Sequence, residues 1–357
     1  MKLIFRWYGD NDSIPLEYIR QIPNMTGVCT ACYDFKPGEL WKEESLLHLK
    51  KQLSAHDLEM EVIESIPVSE NIKLRNEKCE QDIAVFKENL KMCAKAGVKV
   101  VCYNFMPVFD WLRTNLHYKN KDGSESLAYS YDDFIKVDPK HLHLPGWDES
   151  YSEDELQSLL SIYQNVSKEQ LFANLIHFLE EVIPVCEENN IKMAIHPDDP
   201  PWDIFGLPRV VSTEKDFDKL FAAIPSTYNG ITLCTGSLGA SKSNDIYAMA
   251  AKYAKQGRLH FAHLRNVLYT DDKDSFVEAG HASCMGSLDL GKIVHLLVEN
   301  GFDGYVRPDH GRNIFGENQK PGYGLYDRAL GAAYITGLFE EAEKYGGKKW
   351  KEKIYLF

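Results

Sequence analysis

Four short strings in the second half of the chain each deliver one metal-type side chain just after an apolar run. IHPDDP carries His196, LCTGS carries Cys234, HLRN carries His263 and RPDHG carries Asp309. Imidazole, thiolate and carboxylate together suit a divalent transition metal and leave positions open for a substrate. Each residue alone has a blander reading. A histidine at a strand end is mostly a hydrogen-bonded structural group, a cysteine a buried thiol, an aspartate a helix cap. The metal reading rests on their agreement across four successive runs.

Groups that could move protons or hold an anion lie beside these four. His310 directly follows Asp309, within reach of anything bound to a metal there, and imidazole titrates near neutrality. Tyr323 sits in KPGYG, where flanking glycines free the backbone to aim the phenol inward, although it could equally pack on outer helices. Arg6 and Trp7 lie in RWYGDND, Arg265 in HLRN and Arg312 in DHGR. A guanidinium can engage both oxygens of a carboxylate; its default role is a salt bridge at the rim. Trp7 could cover an apolar sugar face or simply pack. The run HPDDPPWDIFGLPR is a stiff loop, with Asp198 and Asp199 either capping and solvated or forming a wall beside His196.

Such residues meet only if the elements that carry them converge. Candidate strands are Leu3–Trp7, Gly27–Tyr33, Met60–Ile66, Val98–Phe105, Ile191–His196, Gly230–Cys234, Leu259–Leu264 and Gly304–Arg307. Most are continuous apolar runs, as expected of strands buried on both faces of a parallel sheet. Helical patterns fall between them at Leu40–Ala55, Glu77–Ala96, Ser167–Asn189, Thr213–Ala223, Asn244–Gln256, Leu288–Asn300 and Asp327–Tyr345. This α/β alternation predicts a (β/α)8 TIM barrel, in which catalytic groups gather at the C-terminal ends of the strands. An open doubly wound sheet is the second choice, weakened because no GxGxxG follows the first strand. We expect one domain over 1–357, with an insertion at 108–153 after strand four, placed at the barrel mouth or at a subunit contact.

Composition narrows the function classes. Of 357 residues, 44% are hydrophobic and 26% charged, enough for a large core and unlike a disordered chain. Lys and Arg number 40 against 53 Asp and Glu, a formal charge of −13, which argues against a nucleic-acid partner. A local cationic pocket still permits an anionic substrate. No apolar run approaches the ~18 residues that spanning a bilayer needs, and Leu3–Phe5 is too short for a signal peptide's apolar region. The expectation is a cytoplasmic protein with no membrane partner, whose eight cysteines are reduced thiols. Cys29 and Cys32 form a CxxC within strand-like sequence, read as two buried thiols.

RWYGDND, GVCTACYD, ESIPVSENIK, VCYNFMPVFDWLRT, IHPDDPPWDIFGLPR, LCTGSLG, HLRN, RPDHGR and KPGYG together resemble the mannonate dehydratase family, from residue 6 to residue 324. The resemblance implies a metal-dependent barrel lyase of hexuronate (glucuronate) catabolism that converts D-mannonate to 2-dehydro-3-deoxy-D-gluconate and water. It implies metal ligation by His196, Cys234, His263 and Asp309, proton transfer by His310 and Tyr323, and Mn²⁺ as the ion, with Fe²⁺ the alternative; thiolate softness alone points to zinc, iron or cobalt. Together with the long insertion, it suggests a homodimer. His281 is left without a role.

The expected reaction removes a weakly acidic C2 hydrogen and expels the C3 hydroxyl, with Tyr323 favoured as base and His310 as acid. The nearest rival is a metal-dependent aldose–ketose isomerase on a similar barrel, which takes a neutral sugar and has less use for the arginines. A non-catalytic sugar-acid binding protein would need the arginines and Trp7 but no poised acid and base.

Overall fold

In the computed structural model, which describes residues 1–137 and 151–345, eight strands close into a barrel. They are β1 (Lys2–Arg6), β2 (Met25–Thr30), β3 (Glu59–Glu64), β4 (Val100–Tyr103), β5 (Lys192–Ile195), β6 (Asn229–Cys234), β7 (Leu259–Leu264) and β8 (Tyr305–Pro308). Each pairs in parallel with its neighbour in the chain, and β8 closes on β1 through Lys2 with Tyr305 and Leu3 with Val306. The (β/α)8 expectation holds. Every residue of β4, β6 and β7 is buried, which is why these strands show as unbroken apolar runs. Ile4, Cys29, Val62, Val100, Cys102, Ala194 and Phe261 fill the barrel's interior as one small cluster, and a larger one lies between strands and helices.

The helices Glu43–Ser54, Cys79–Lys95, Lys168–Glu188, Glu214–Ala223, Ile246–Lys255, Leu290–Glu299 and Tyr326–Tyr345 match the expected ones to within a few residues. Several expected starts fall one or two residues early because the cap itself was included. Ser167 and Thr213 are N-caps whose side chains accept from Gln170 and Asp216 backbone N–H groups. Cys29 and Cys32 are buried free thiols, as read. Among the described residues, no helix is long and apolar enough to cross a membrane.

A second sheet departs from the expectation. Strands Asn115–Lys119 and Glu125–Tyr129 arise after β4, and a hairpin of Asn266–Tyr269 and Phe276–Ala279 follows β7. They join antiparallel into one four-stranded sheet, with Phe276 opposite Tyr129 and Val277 opposite Ala128. Both pairs leave from C-terminal ends of barrel strands. Glu125 and Asn313, in the loop after β8, exchange backbone hydrogen bonds of 3.0 and 2.8 Å. The sheet is thereby tied to the mouth. Residues 138–150 of the expected insertion, and 346–357, lie outside the described residues.

Candidate active site

The register of the barrel brings the four ligand types together. Cys234 ends β6 and pairs with His263 on β7, which in turn pairs with Arg307 on β8. Paired residues of neighbouring strands share one level and one face of a sheet. His196 follows β5 and Asp309 follows β8. The ligand atoms of His196, Cys234 and His263 all lie within 4.8 Å of one another. Asp309 adjoins them: its Oδ2 stands 3.4 Å from Cys234 Sγ and 4.0 Å from His263 Nδ1. Cys234 and His263 are fully buried and Asp309 nearly so.

Electrostatics prepares this group for a cation. Burial works against ionising the Cys234 thiol, but Arg265 and His196 outweigh it and hold its pKa well below the usual range. A thiolate is the form that ligates metal. Burial likewise opposes the Asp309 carboxylate, and Arg307, His310 and His263 keep it ionised. His196 moves the other way, to about 9; burial lowers it, and Cys234 more than compensates. A dication seated here would take over the charge of that proton, since metal binding to such ligands releases protons. His263 Nε2 is buried without a hydrogen bond, while Asp309 Oδ1 is met by Arg307 Nη1 at 2.7 Å. An orphaned imidazole nitrogen within a nitrogen, sulfur and oxygen set fits a divalent transition metal.

Beneath lies a charge clamp. Glu64, the last residue of β3, stands 3.0 Å from Arg307 Nη2 and 3.2 Å from Arg6 Nη1. Burial resists its ionisation, and those two guanidinium groups hold its pKa well below the ordinary carboxylate range. Arg6 packs over the Tyr8 ring at 4.9 Å, and its Nε and Nη1 make no hydrogen bond.

Beside the ligand group stand His310 and Tyr323, with His310 Nε2 2.9 Å from the Tyr323 hydroxyl. Gly322 makes this approach possible. Its φ of +81° is a backbone conformation that glycine alone adopts without strain, and a Cβ there would meet Leu127 Cδ1 at 2.7 Å and His310 Cγ at 3.4 Å. On the other side, His310 Nδ1 lies 2.8 and 3.0 Å from the two oxygens of Glu278. Glu278 is 1% exposed, and although burial raises its pKa, His310, Arg265 and Arg113 bring it to about 2. An ionised carboxylate only accepts, so Nδ1 carries the hydrogen and Nε2 faces the phenol. Burial pushes the Tyr323 phenol up to about 12, with Arg307 the largest opposing influence.

The family model described as D-mannonate dehydratase (UxuA) matches residues 1–349. This chain belongs to the D-mannonate dehydratase family. A mannonate dehydratase of Thermotoga neapolitana is 50% identical over 356 residues, covering 96% of this chain and 98% of that protein. The crystal structure of mannonate dehydratase from Streptococcus suis serotype2 has a TM-score of 0.89 at 43% identity, covering 96% of this chain and 94% of that one. A D-psicose 3-epimerase structure, 12% identical with a TM-score of 0.56 over 97% of this chain and 100% of that one, shares the fold.

Within this mannonate dehydratase fold, the other expected residues are placed as follows. Arg265 is 1% exposed and surrounded by carboxylates: Asp199 at 2.7 Å, Glu278 at 2.9 Å and Asp309 at 2.9 Å. Trp7 is 4% exposed within the large apolar cluster. Arg312 is engaged by Asp327 and Asp122, each at 2.9 Å. Asp198 and Asp199, taken as capping, solvated or a wall, are both buried; Asp199 bridges Arg113 and Arg265. Four charged residues of the site had no assigned role in the sequence: Glu64, Arg113, Glu278 and Arg307. One signal was there to use: Glu278 stands alone among apolar and small residues in SFVEAG, and a lone charge in such a strand wants a buried partner.

Proposed function

We propose that this chain dehydrates D-mannonate to 2-dehydro-3-deoxy-D-gluconate and water at the mouth of the barrel. His196, Cys234, His263 and Asp309 would hold Mn²⁺, with Fe²⁺ the alternative. The observation that carries the reading is the His310–Tyr323 hydrogen bond beside that ligand group. A bound dication supplies electrostatic stabilisation of the negative charge that builds on the substrate carboxylate as the C2–H bond breaks.

The protein's own groups supply the rest. At rest the Tyr323 hydroxyl donates to His310 Nε2. Passing that proton to His310 leaves a phenolate and an imidazolium, the latter stabilised by Glu278 against Nδ1. Phenolate Tyr323 takes the C2 proton, the electron pair forms the C2=C3 bond, and the C3 hydroxyl leaves with a proton from His310 Nε2 as water. Tyr323 is again protonated and His310 neutral, so one turnover restores the pair. The enol ketonises to the product. Arg307 and Arg6 favour the phenolate, working against burial. Arg6 retains a buried Nε without a hydrogen-bond partner, which is assigned to the substrate's anionic end; Arg265, ion-paired with Asp199, Glu278 and Asp309, adds positive charge behind it. Arg312 and Trp7 support the walls. The isomerase alternative is not favoured by family membership.

The chain is expected to act in the cytoplasm as a homodimer, which light scattering measures. The deciding assay follows 2-dehydro-3-deoxy-D-gluconate formation from D-mannonate by chelated enzyme before and after Mn²⁺ is restored. Turnover should vanish and return. Unchanged turnover in metal-free enzyme, or no turnover in either state, refutes the reading.

A further inference from the structure

Outside the mouth, one more set of side chains among the described residues has metal-ligand chemistry in a compatible arrangement. Cys79 and Glu80 open helix Cys79–Lys95, and His177 lies midway along helix Lys168–Glu188. The two helices are neighbours in the outer layer, locked by the edge-to-face pair Phe86 and Phe178 with centroids 5.0 Å apart. At the N-terminal end of the first helix, a thiol sulfur, a carboxylate oxygen and an imidazole nitrogen lie within 4.8 Å of one another. None belongs to the mouth cluster. His177 Nε2 already stands 2.8 Å from Glu80 Oε1, which aims the ring at the carboxylate. The Glu80 side chain is 68% exposed and that of His177 18%, while Cys79 is buried at 2%. The sulfur forms the floor, and the carboxylate is free to move on the solvent side.

We infer that Cys79, Glu80 and His177 form a second metal site, for zinc, that bridges the two helices. Three ligands of sulfur, nitrogen and oxygen with water in the fourth position match the tetrahedral preference of Zn²⁺, which has no further geometric demand. Calcium and magnesium are excluded by the thiol and imidazole, since they take oxygen ligands.

A contrast within the molecule supports the choice. Glu64, Cys102 and His263 also lie within 4.8 Å of one another. There the carboxylate is already neutralised by Arg6 and Arg307, and a dication would face two guanidinium groups. At the helix site the Glu80 carboxylate instead faces the His177 imidazole, a ligand type that zinc accepts beside a carboxylate.

The test uses metal-stripped, full-length enzyme titrated with Zn²⁺, bound metal being counted after desalting. Wild type should retain one more zinc per chain than Cys79→Ser or His177→Ala. The same difference should appear with Co²⁺ as a smaller thiolate-to-cobalt absorption in Cys79→Ser. Glu80→Gln, at an exposed position where folding is not at stake, should weaken the same zinc. All three variants should keep the wild-type rate when supplied with Mn²⁺, since none touches the mouth. Equal zinc content in wild type and all three variants overturns the proposal.

Discussion

Replacing Glu278 by glutamine separates positioning from chemistry. The carboxylate accepts from Arg113 Nε and Nη2 at 2.8 and 2.6 Å, from Arg265 Nη1 at 2.9 Å and from His310 Nδ1 at 2.8 Å. An amide keeps the shape, removes the charge and offers Nδ1 a group that can donate as well as accept. Two consequences follow. The buried Arg113 then keeps Asp199 as its carboxylate partner and Arg265 keeps Asp199 and Asp309, and breaking one partner of a buried ion pair typically costs about 3–5 kcal/mol of stability. The imidazole also loses the group that fixes its tautomer and stabilises its charged form. Comparable losses lower turnover by ~10²–10⁴-fold, about 2.7–5.4 kcal/mol in the barrier. Steady-state dehydration kinetics should show a fall in kcat with little change in KM. Glu278→Asp, which keeps the charge, should recover part of it. A folded Glu278→Gln enzyme with wild-type kcat refutes the positioning role.

Tyr323→Phe and His310→Asn should each lower kcat by about two or more orders of magnitude while bound metal is retained; metal analysis and kinetics on the same samples check both parts. His260 is buried with Nδ1 2.9 Å from the Met193 carbonyl, and burial, then Lys192, pushes its pKa down to about 4. Since an unfolded imidazole titrates near ~6.5, the unfolded chain binds more protons in between, so stability is full above that value and falls by about 1.4 kcal/mol per unit as pH drops toward 4. Urea unfolding at about pH 7.5 and pH 5 should show a smaller difference in His260→Asn than in wild type. Phe178 is fully buried against Phe86, Tyr103 and Phe105; Phe178→Ala should cost about 3–5 kcal/mol in the same experiment.

The barrel was legible because its strands are buried on both sides, so the apolar run and the strand nearly coincide. VVCY and LHFAHL could hardly be anything else in this alternation. The hairpin after β7 was not, because NVLY and FVEA are short and the polar stretch between them looks like any surface turn. The ligand types were legible for a geometric reason: each lies at or just past the C-terminal end of a strand, and the strands share one rim. Arg113 and Glu278 are 165 residues apart. The setting of Glu278 in SFVEAG calls for a buried partner, but nothing local to Arg113 names it as that partner. Arg312 shows the converse. It sits two residues after His310 yet is occupied by Asp327 and Asp122, because adjacency in sequence does not determine where a long side chain finds its partner.

Everything proposed for the mouth depends on a single ion being held where β5 to β8 end. An anomalous-scattering map from crystals loaded with Mn²⁺ tests this directly. The expected result is a peak bounded by His196, Cys234, His263 and Asp309, with the His310–Tyr323 pair beside it. A peak elsewhere, or none at that place in crystals of active enzyme, contradicts it.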